Sequence, residues 1–460
     1  MKKQNDGAEL LGKEREGFST KIGFIMAAAG SAVGLGNIWK FPYLTGMYGG
    51  GVFLVTYLAI LAIVAVPVVL AETVMGVHTK TSAVPAYEKI AEEVGASKKW
   101  GIVGFLGVLA CFFMFAYYSV VGGWVAAYFF KSVTGTIETG TTASDAFNSF
   151  ISSPVQPILW HVLFLGIAAA IVLKGVKALE KAGNIMMPAL FVMLIIVAVR
   201  SLTLPGAWEG VVWMFKPDFS LFSAELVVVA LGQVFFSMSI GNGVVIAYGS
   251  YLKGKQDIAK ASIQVAGVDT GIAMLAGLAI LPAVFAFGLE PSEGVGLLFV
   301  TIPTIFASFG SLLGTIFTAM FFLLALFAAM TTAIAMIEIP AAYFIDKLGW
   351  ARKKAVIFIT AIILVFGAIC SLSYGVWGGF TIFGLNFFDF CDAFSAKILM
   401  PLGGLLCVIF VGYIWKPEKA YDTITKDGTA FKWFKFWKIC VKFLVPILII
   451  LVFLSGFGIV

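Results

Sequence analysis

Two stretches of this sequence hold residue types that a plain apolar helix has no use for. The first is Gly30-Ser31-Ala32-Val33-Gly34-Leu35-Gly36-Asn37, followed by Lys40 and Pro42; the second holds Gln233, Phe235, Phe236, Ser237, Met238, Ser239, Ile240, Gly241, Asn242 and Gly243. Two glycines one residue apart, beside an amide and, in the first stretch, ahead of a proline, are poor material for a continuous helix. Where a helix opens, carbonyl oxygens become hard ligands for a small cation, and the freed amide hydrogens can receive a carboxylate. The Asn37 side-chain oxygen would add another ligand. Gly30 and Gly34, with Ala27 and Ala28, equally suit a close helix-packing face. Such a face has no use for Asn37 and Lys40, which are costly in lipid unless paired or functional.

The elements that carry these stretches are membrane helices. The 460-residue chain is 60% hydrophobic and 12% charged, where soluble proteins run near ~25% charge, so lipid must be its solvent. Apolar runs of helical length predict eleven spans at about 22–43, 52–75, 100–131, 158–174, 184–202, 222–251, 262–287, 313–345, 354–374, 388–415 and 434–458. None alternates as a membrane barrel strand does. The two interrupted stretches then fall in spans one and six, the first position of two five-span sets. An odd number of spans reverses topology in the second set, so the pattern predicts an all-α inverted five-plus-five repeat with discontinuous helices one and six and one additional helix. The divisions are 1–21 (cytoplasmic segment), 22–202 (first repeat), 222–415 (second repeat) and 434–458 (eleventh helix).

Charge orients the chain. Lysines and arginines gather in alternate hydrophilic segments: Lys2 to Lys21, Lys80 to Lys99, Lys174 to Lys181, Lys253 to Lys260, Lys347 to Lys354, and Lys416 to Lys442. By the positive-inside rule the N-terminus is cytoplasmic and the C-terminus extracytoplasmic. The mixed charge of the first residues predicts no cleaved signal peptide. Lys432, Trp433, Lys435, Trp437 and Lys438 abut an apolar helix, which suits a lipid headgroup layer rather than a nucleic acid. The five cysteines form no CxxC pair and read as small apolar residues.

Gly34-Leu35-Gly36-Asn37-Ile38-Trp39-Lys40-Phe41-Pro42-Tyr43, Gln233 to Ser239, and Thr331-Thr332 within Phe327 to Ile334 resemble hallmark segments of the neurotransmitter:sodium symporter family, and the similarity runs from about residue 15 to span ten. The resemblance to its shorter bacterial members implies a transporter rather than an enzyme, in the bacterial cytoplasmic (inner) membrane. It also implies sodium-coupled symport of a small neutral, hydrophobic L-amino acid by alternating access, and a monomer or weak homodimer. Two Na+ ions are implied. One would be held by Ala32, Asn37, Ser237 and Asp269 with the substrate carboxylate, the other by Gly30, Val33, Ala328, Thr331 and Thr332. Substrate contacts would come from Ala32, Gly34, Leu35, Gly36, Met114, Tyr118, Phe236, Ser237, Ser239, Asn242, Thr332 and Met336. Animal members have asparagine where Asp269 stands and bind chloride through a serine that corresponds to Ala273. A built-in carboxylate replaces that anion, so no chloride requirement is expected, and proton counter-transport through Asp269 is a further expectation.

The resemblance also implies gates. Lys40 and Asp392 would approach above the pocket, with Tyr118 and Phe236 as its lid; Arg15, Phe18 and Asp346 would close it from the cytoplasm. Lysine in place of the usual arginine loses the planar fork and weakens the outer pair. Glu338 stands where some relatives carry glutamine in the inner vestibule. A proton-coupled carrier or exchanger of the same architecture stays open, although the Thr331–Thr332 hydroxyl pair has little use without a second ion. A sensor that binds without moving its ligand would need a signalling domain, which this sequence does not contain.

Overall fold

The computed structural model describes residues 17–18, 20–253, 257–289, 294–426 and 428–456. The first span is a bent pair, α1 (Lys21–Ala32) and α2 (Gly36–Met47), set 57° apart. Then follow α3 (Gly51–Thr79), α4 (Ala83–Glu93), α5 (Lys98–Val133), α6 (Ala143–Ser152), α7 (Gln156–Val172) and α8 (Val176–Leu202). The second set is opened by α9 (Ala207–Phe215) and the broken span α10 (Ala224–Ser237) plus α11 (Val244–Ser250). It continues with α12 (Ile258–Ala286), α13 (Leu297–Ala307), α14 (Ser311–Leu348), α15 (Arg352–Leu372) and α16 (Phe387–Trp415). The chain ends on α17 (Pro417–Thr425) and α18 (Phe434–Leu454). Between α15 and α16 two short strands, β1 (Thr381–Ile382) and β2 (Leu385–Asn386), pair antiparallel in a small hairpin.

Eight of these helices are long and apolar enough to cross a bilayer unaided. The bent first span and α7 with its short lead-in helix raise the number to ten among the described residues, and the shorter α10–α11 pair occupies the place of the expected sixth span. Three hydrophilic connections read from sequence as plain segments are helical instead. Along α4 the buried residues Ala83, Ala86, Tyr87, Ile90 and Ala91 recur at three- and four-residue steps, as do Ala143, Phe147, Phe150 and Ile151 along α6; α9 buries Ala207, Gly210 and Met214. Polar composition in α4 and α6, and a length of only 9 residues in α9, hide these helices from a search tuned to membrane spans. The apolar stretch after α12 holds the partly buried α13, with Leu297, Phe299, Ile302 and Phe306 buried.

The longest helices, α5 and α14, pack along each other, and α7 and α15 pack against α5. The α8 helix meets α12 and α14, and α11 lies against the second half of α3. Lipid supplies no hydrophobic drive between helices, so close contact through small residues takes that role. Ala110, Ala116 and Ala127 on α5 and Ala325, Ala328, Ala329 and Ala333 on α14 are wholly buried. This frame leaves the two broken spans facing each other at its centre.

Candidate functional site

The first break is a change of backbone at Val33 (φ −70°, ψ 95°) that ends α1, followed by a wide π turn over Gly36–Lys40. The second spans Met238 to Gly243, where Ser239, Gly241 and Gly243 all take positive φ values of 50°, 79° and 80°. Glycine is required at 241 for two reasons, since a Cβ there would also stand 2.1 Å from the Met400 carbonyl oxygen. Ser239 accepts the same left-handed backbone with a side chain, a strained arrangement of the kind that concentrates at functional sites.

Side chains cross from one break to the other. Asn37 Nδ2 donates to Asp269 Oδ1 at 2.7 Å, to the Asp269 carbonyl at 3.1 Å and to Ser237 Oγ at 3.1 Å. Ser237 Oγ donates to Asp269 Oδ2 at 2.8 Å, and Asn37 Oδ1 accepts from the Gly34 amide at 3.1 Å. Asn37 and Asp269 are completely buried. Three of the four residues expected at the first ion position thus form one oxygen-rich cluster, and Ala32 ends the helix that leads into it. The Asp269 carboxylate here takes the Asn37 amide hydrogens and the Ser237 hydroxyl, with Asn37 Oδ1 turned to the Gly34 amide; the carboxylate, the hydroxyl and the amide oxygen of these three residues are the hard donors that an alkali cation needs.

The second group also assembles. Thr332 Oγ1 lies 3.5 Å from the Val33 carbonyl oxygen, Thr331 Oγ1 donates to the Phe327 and Ala328 carbonyls at 3.0 and 3.1 Å, and the Cα hydrogen side of Gly30 faces the Thr331 Cβ. A cavity of about 10 Å³ touches Gly30, Thr331, Ile334 and Tyr248, near the smallest volume that holds one water. Among the described residues no three His, Cys, Asp or Glu side chains converge on a metal position.

Between these groups lie the expected substrate contacts. The Tyr118 hydroxyl accepts from the Leu35 amide at 3.2 Å, and a Cβ at Gly34 would sit 2.8 Å from that hydroxyl and 2.7 Å from Thr332 Oγ1. The Phe236 ring covers Gly36, where a Cβ would approach it to 2.6 Å. Met114 lies one helical turn before Tyr118, and Cys111 Sγ reaches the Met336 carbonyl at 3.5 Å, which sets both methionines at the α5–α14 seam. Ser239 Oγ donates to the Ser31 carbonyl at 3.4 Å. Asn242 is further along the break, its Oδ1 capping Val244 at 3.1 Å and its Nδ2 without a hydrogen-bond partner.

The gates differ from expectation in one respect. Lys40 and Asp392 do not form an ion pair; Lys40 Nζ lies instead 4.5 Å from the centroid of the Phe236 ring. A lysine ammonium is a point charge without the fork that would hold a carboxylate, and the negative face of the lid ring attracts it. Asp392 lies beside the Tyr117 hydroxyl. On the opposite side Phe18 is buried against Phe24, Tyr248 and Tyr251 at centroid distances of 5.8, 5.7 and 6.1 Å. Asp346 Oδ2 accepts from the Ser82 amide at 2.7 Å; Arg15 falls outside the described residues.

Three tethers hold the site together, and of their residues Glu72 was not singled out from sequence. Glu72, buried within α3, accepts from the Gly241 amide at 3.0 Å and so binds the second break to its neighbour. Gln233 Nε2 donates to the Gly36 carbonyl at 3.1 Å and links the two broken spans directly. Glu338 is held by both terminal nitrogens of Arg352, at 2.7 and 2.9 Å, and by the Tyr251 hydroxyl at 2.6 Å. A lone acidic residue in an apolar run was the available signal for Glu72.

Comparison with known proteins agrees with this geometry. The model of the sodium:neurotransmitter symporter family matches residues 15–156 and 154–459. The uncharacterized sodium-dependent transporter YhdH of Bacillus subtilis (strain 168) is 38% identical over 96% of this chain and 98% of its own length. The mouse sodium- and chloride-dependent GABA transporter 2 is 27% identical over 96% of this chain and 80% of its own. Among solved structures, MhsT in complex with L-phenylalanine superposes with a TM-score of 0.89 at 42% identity, covering 96% of this chain and all of MhsT. With two broken helices meeting over a shared oxygen cluster, and a family match along nearly its whole length, this chain belongs to the sodium:neurotransmitter symporter family.

Proposed function

We propose that the chain moves a small neutral L-amino acid with an apolar side chain into the cell together with two sodium ions, by alternating access. The observation that carries the reading is the Asn37–Ser237–Asp269 cluster standing against the open backbone at Gly34. Substrate carboxylate and the first sodium share that position, so each stabilises the other, which is the thermodynamic content of coupling. Gly34 keeps the space free of a side chain; an acid there would repel the carboxylate. Met114, Met336 and Phe236 are adaptable apolar walls, and the L-phenylalanine bound to MhsT supports an amino-acid substrate. The second sodium belongs with Gly30, Val33, Ala328, Thr331 and Thr332. Asp269 supplies the negative charge for which some relatives use chloride, and it takes up a proton when sodium leaves, giving proton antiport. The protein sits in the bacterial cytoplasmic membrane with its N-terminus inside and C-terminus outside, as a monomer or weak homodimer.

Uptake of labelled neutral amino acids into proteoliposomes under sodium, potassium or proton gradients tests the reading. Concentrative uptake is expected with an inward sodium gradient alone, and chloride replacement by gluconate leaves it unchanged. A reversal condition that follows the proton gradient and ignores sodium would overturn symport in favour of a proton-coupled carrier.

A further inference from the structure

Five cysteines are scattered along the chain, and two of them meet. Cys370 near the end of α15 and Cys391 in the first turns of α16 are both fully buried, and their Sγ atoms lie 3.9 Å apart, in van der Waals contact. The chain between them turns through the β1–β2 hairpin. Ser373 stitches the same corner, its Oγ donating to the Cys370 carbonyl at 2.7 Å and accepting from the Phe388 amide at 3.3 Å. Neither cysteine has a role at the oxygen cluster or in the lid.

From this contact we propose that Cys370 and Cys391 form a redox-active dithiol whose oxidation joins α15 to the start of α16. Closing the bond takes the sulfurs from 3.9 Å to a separation of about 2.05 Å. The oxidant is a disulfide. One cysteine thiolate attacks a sulfur of that disulfide, giving a mixed disulfide and releasing one thiol. The second thiolate then attacks the protein sulfur of the mixed disulfide and releases the other thiol. Two protons and two electrons pass to the oxidant, which leaves as two thiols, and one S–S bond replaces two S–H bonds.

The consequence lies one residue away. Asp392 follows Cys391, and a run of π turns over Ala393–Leu399 comes next. Such wide turns inside a helix occur frequently at functional sites. A bond at Cys391 would pin the helix immediately before this segment and fix Asp392 relative to α15. Oxidation would therefore slow the movement of α16 and with it the transport cycle.

The test uses purified full-length protein in proteoliposomes, treated with the small disulfide cystamine, then denatured and alkylated with N-ethylmaleimide. The expected result is a drop from five alkylated cysteines to three, a disulfide-linked peptide pair containing Cys370 and Cys391 under non-reducing conditions, and full reversal by dithiothreitol. Cys370→Ser and Cys391→Ser should each show four alkylated cysteines before treatment and form no cross-link; after treatment the variant that keeps the attacking thiol holds it as a cystamine adduct and shows three, restored to four by dithiothreitol. Five alkylated cysteines in the treated wild type, or a persistent cystamine adduct without the cross-link, would overturn the dithiol. Sodium-driven uptake by the wild type should fall about tenfold on oxidation, recover on reduction, and stay unchanged in both serine variants. The uptake arm rests on the transport reading and the cross-link arm does not, so the two fail separately. A formed cross-link with undiminished uptake would overturn the clamp.

Discussion

Replacing Asp269 by asparagine removes one charge and almost no volume. The hydrogen bonds have a substitute arrangement, because an amide oxygen can still accept from Asn37 Nδ2 and an amide hydrogen can turn to Ser237 Oγ; the three wild-type contacts at 2.7, 2.8 and 3.1 Å lose only their charge assistance. Hydrogen bonds to charged groups are worth ~1.5–3 kcal/mol against ~0.5–1.5 for neutral ones, so the fold should survive. The loss falls on the cation. A carboxylate and a monovalent ion about 4 Å apart attract by ~4 kcal/mol at an effective dielectric near 20, part of which offsets the ion's dehydration. At about 1.4 kcal/mol per tenfold, half-saturating sodium should rise about ten- to a thousandfold. The assay is initial uptake of a labelled neutral amino acid against sodium concentration, with chloride or gluconate as the counter-ion. Partial recovery in chloride alone is expected, since a bound anion restores the missing charge beside Ser237. An unchanged sodium dependence, with no response to chloride, would remove Asp269 from the ion site.

Gly34→Asp should abolish amino-acid binding in competition assays, because even its Cβ meets Tyr118 Oη and Thr332 Oγ1 at 2.8 and 2.7 Å and its carboxylate repels that of the substrate; retained affinity would show that the carboxylate binds elsewhere. Thr331→Val with Thr332→Ala should lower sodium-driven uptake at least about tenfold while some equilibrium substrate binding remains at the first ion, since two ions each drawing on a tenfold gradient and 100 mV supply roughly 7 kcal/mol in total and the loss of one removes about half. Charge moved per amino acid, read under a calibrated potential, should fall accordingly, and an unaltered ratio would refute the second site. Glu72→Ala leaves the Gly241 amide in the interior without its partner, at a cost of about 1–3 kcal/mol; the thermal midpoint in detergent should fall while Glu72→Gln largely restores it, and a midpoint unchanged in the alanine variant would show that the tether carries no stability.

What the sequence determined by itself is what depends on local chain chemistry. Apolar length marks the spans, alternation of lysine-rich segments carries the expectation of their orientation, and Gly-rich interruptions at Gly34–Gly36 and Gly241–Gly243 show where helices cannot continue. Those features act through lipid transfer and backbone freedom, which are properties of a segment alone. The site residues became legible through the family resemblance, since Asn37 and Asp269 lie 232 positions apart and nothing in either segment states that they touch.

Tertiary structure decided the rest. Whether Lys40 pairs with Asp392 or rests on Phe236 depends on how far two helices stand apart, and without a planar fork to hold a carboxylate the ammonium rests on the ring. That Glu72 on α3 caps the second break, and that Gln233 reaches the Gly36 carbonyl, depends on packing between spans remote in sequence. The cysteine pair makes the same point: by spacing, Cys370 and Cys391 are two unremarkable small residues, and only the turn that folds α16 back along α15 brings the sulfurs together. Spacing along a chain reports contacts within one helix; contacts between helices are set by the packing of all of them at once.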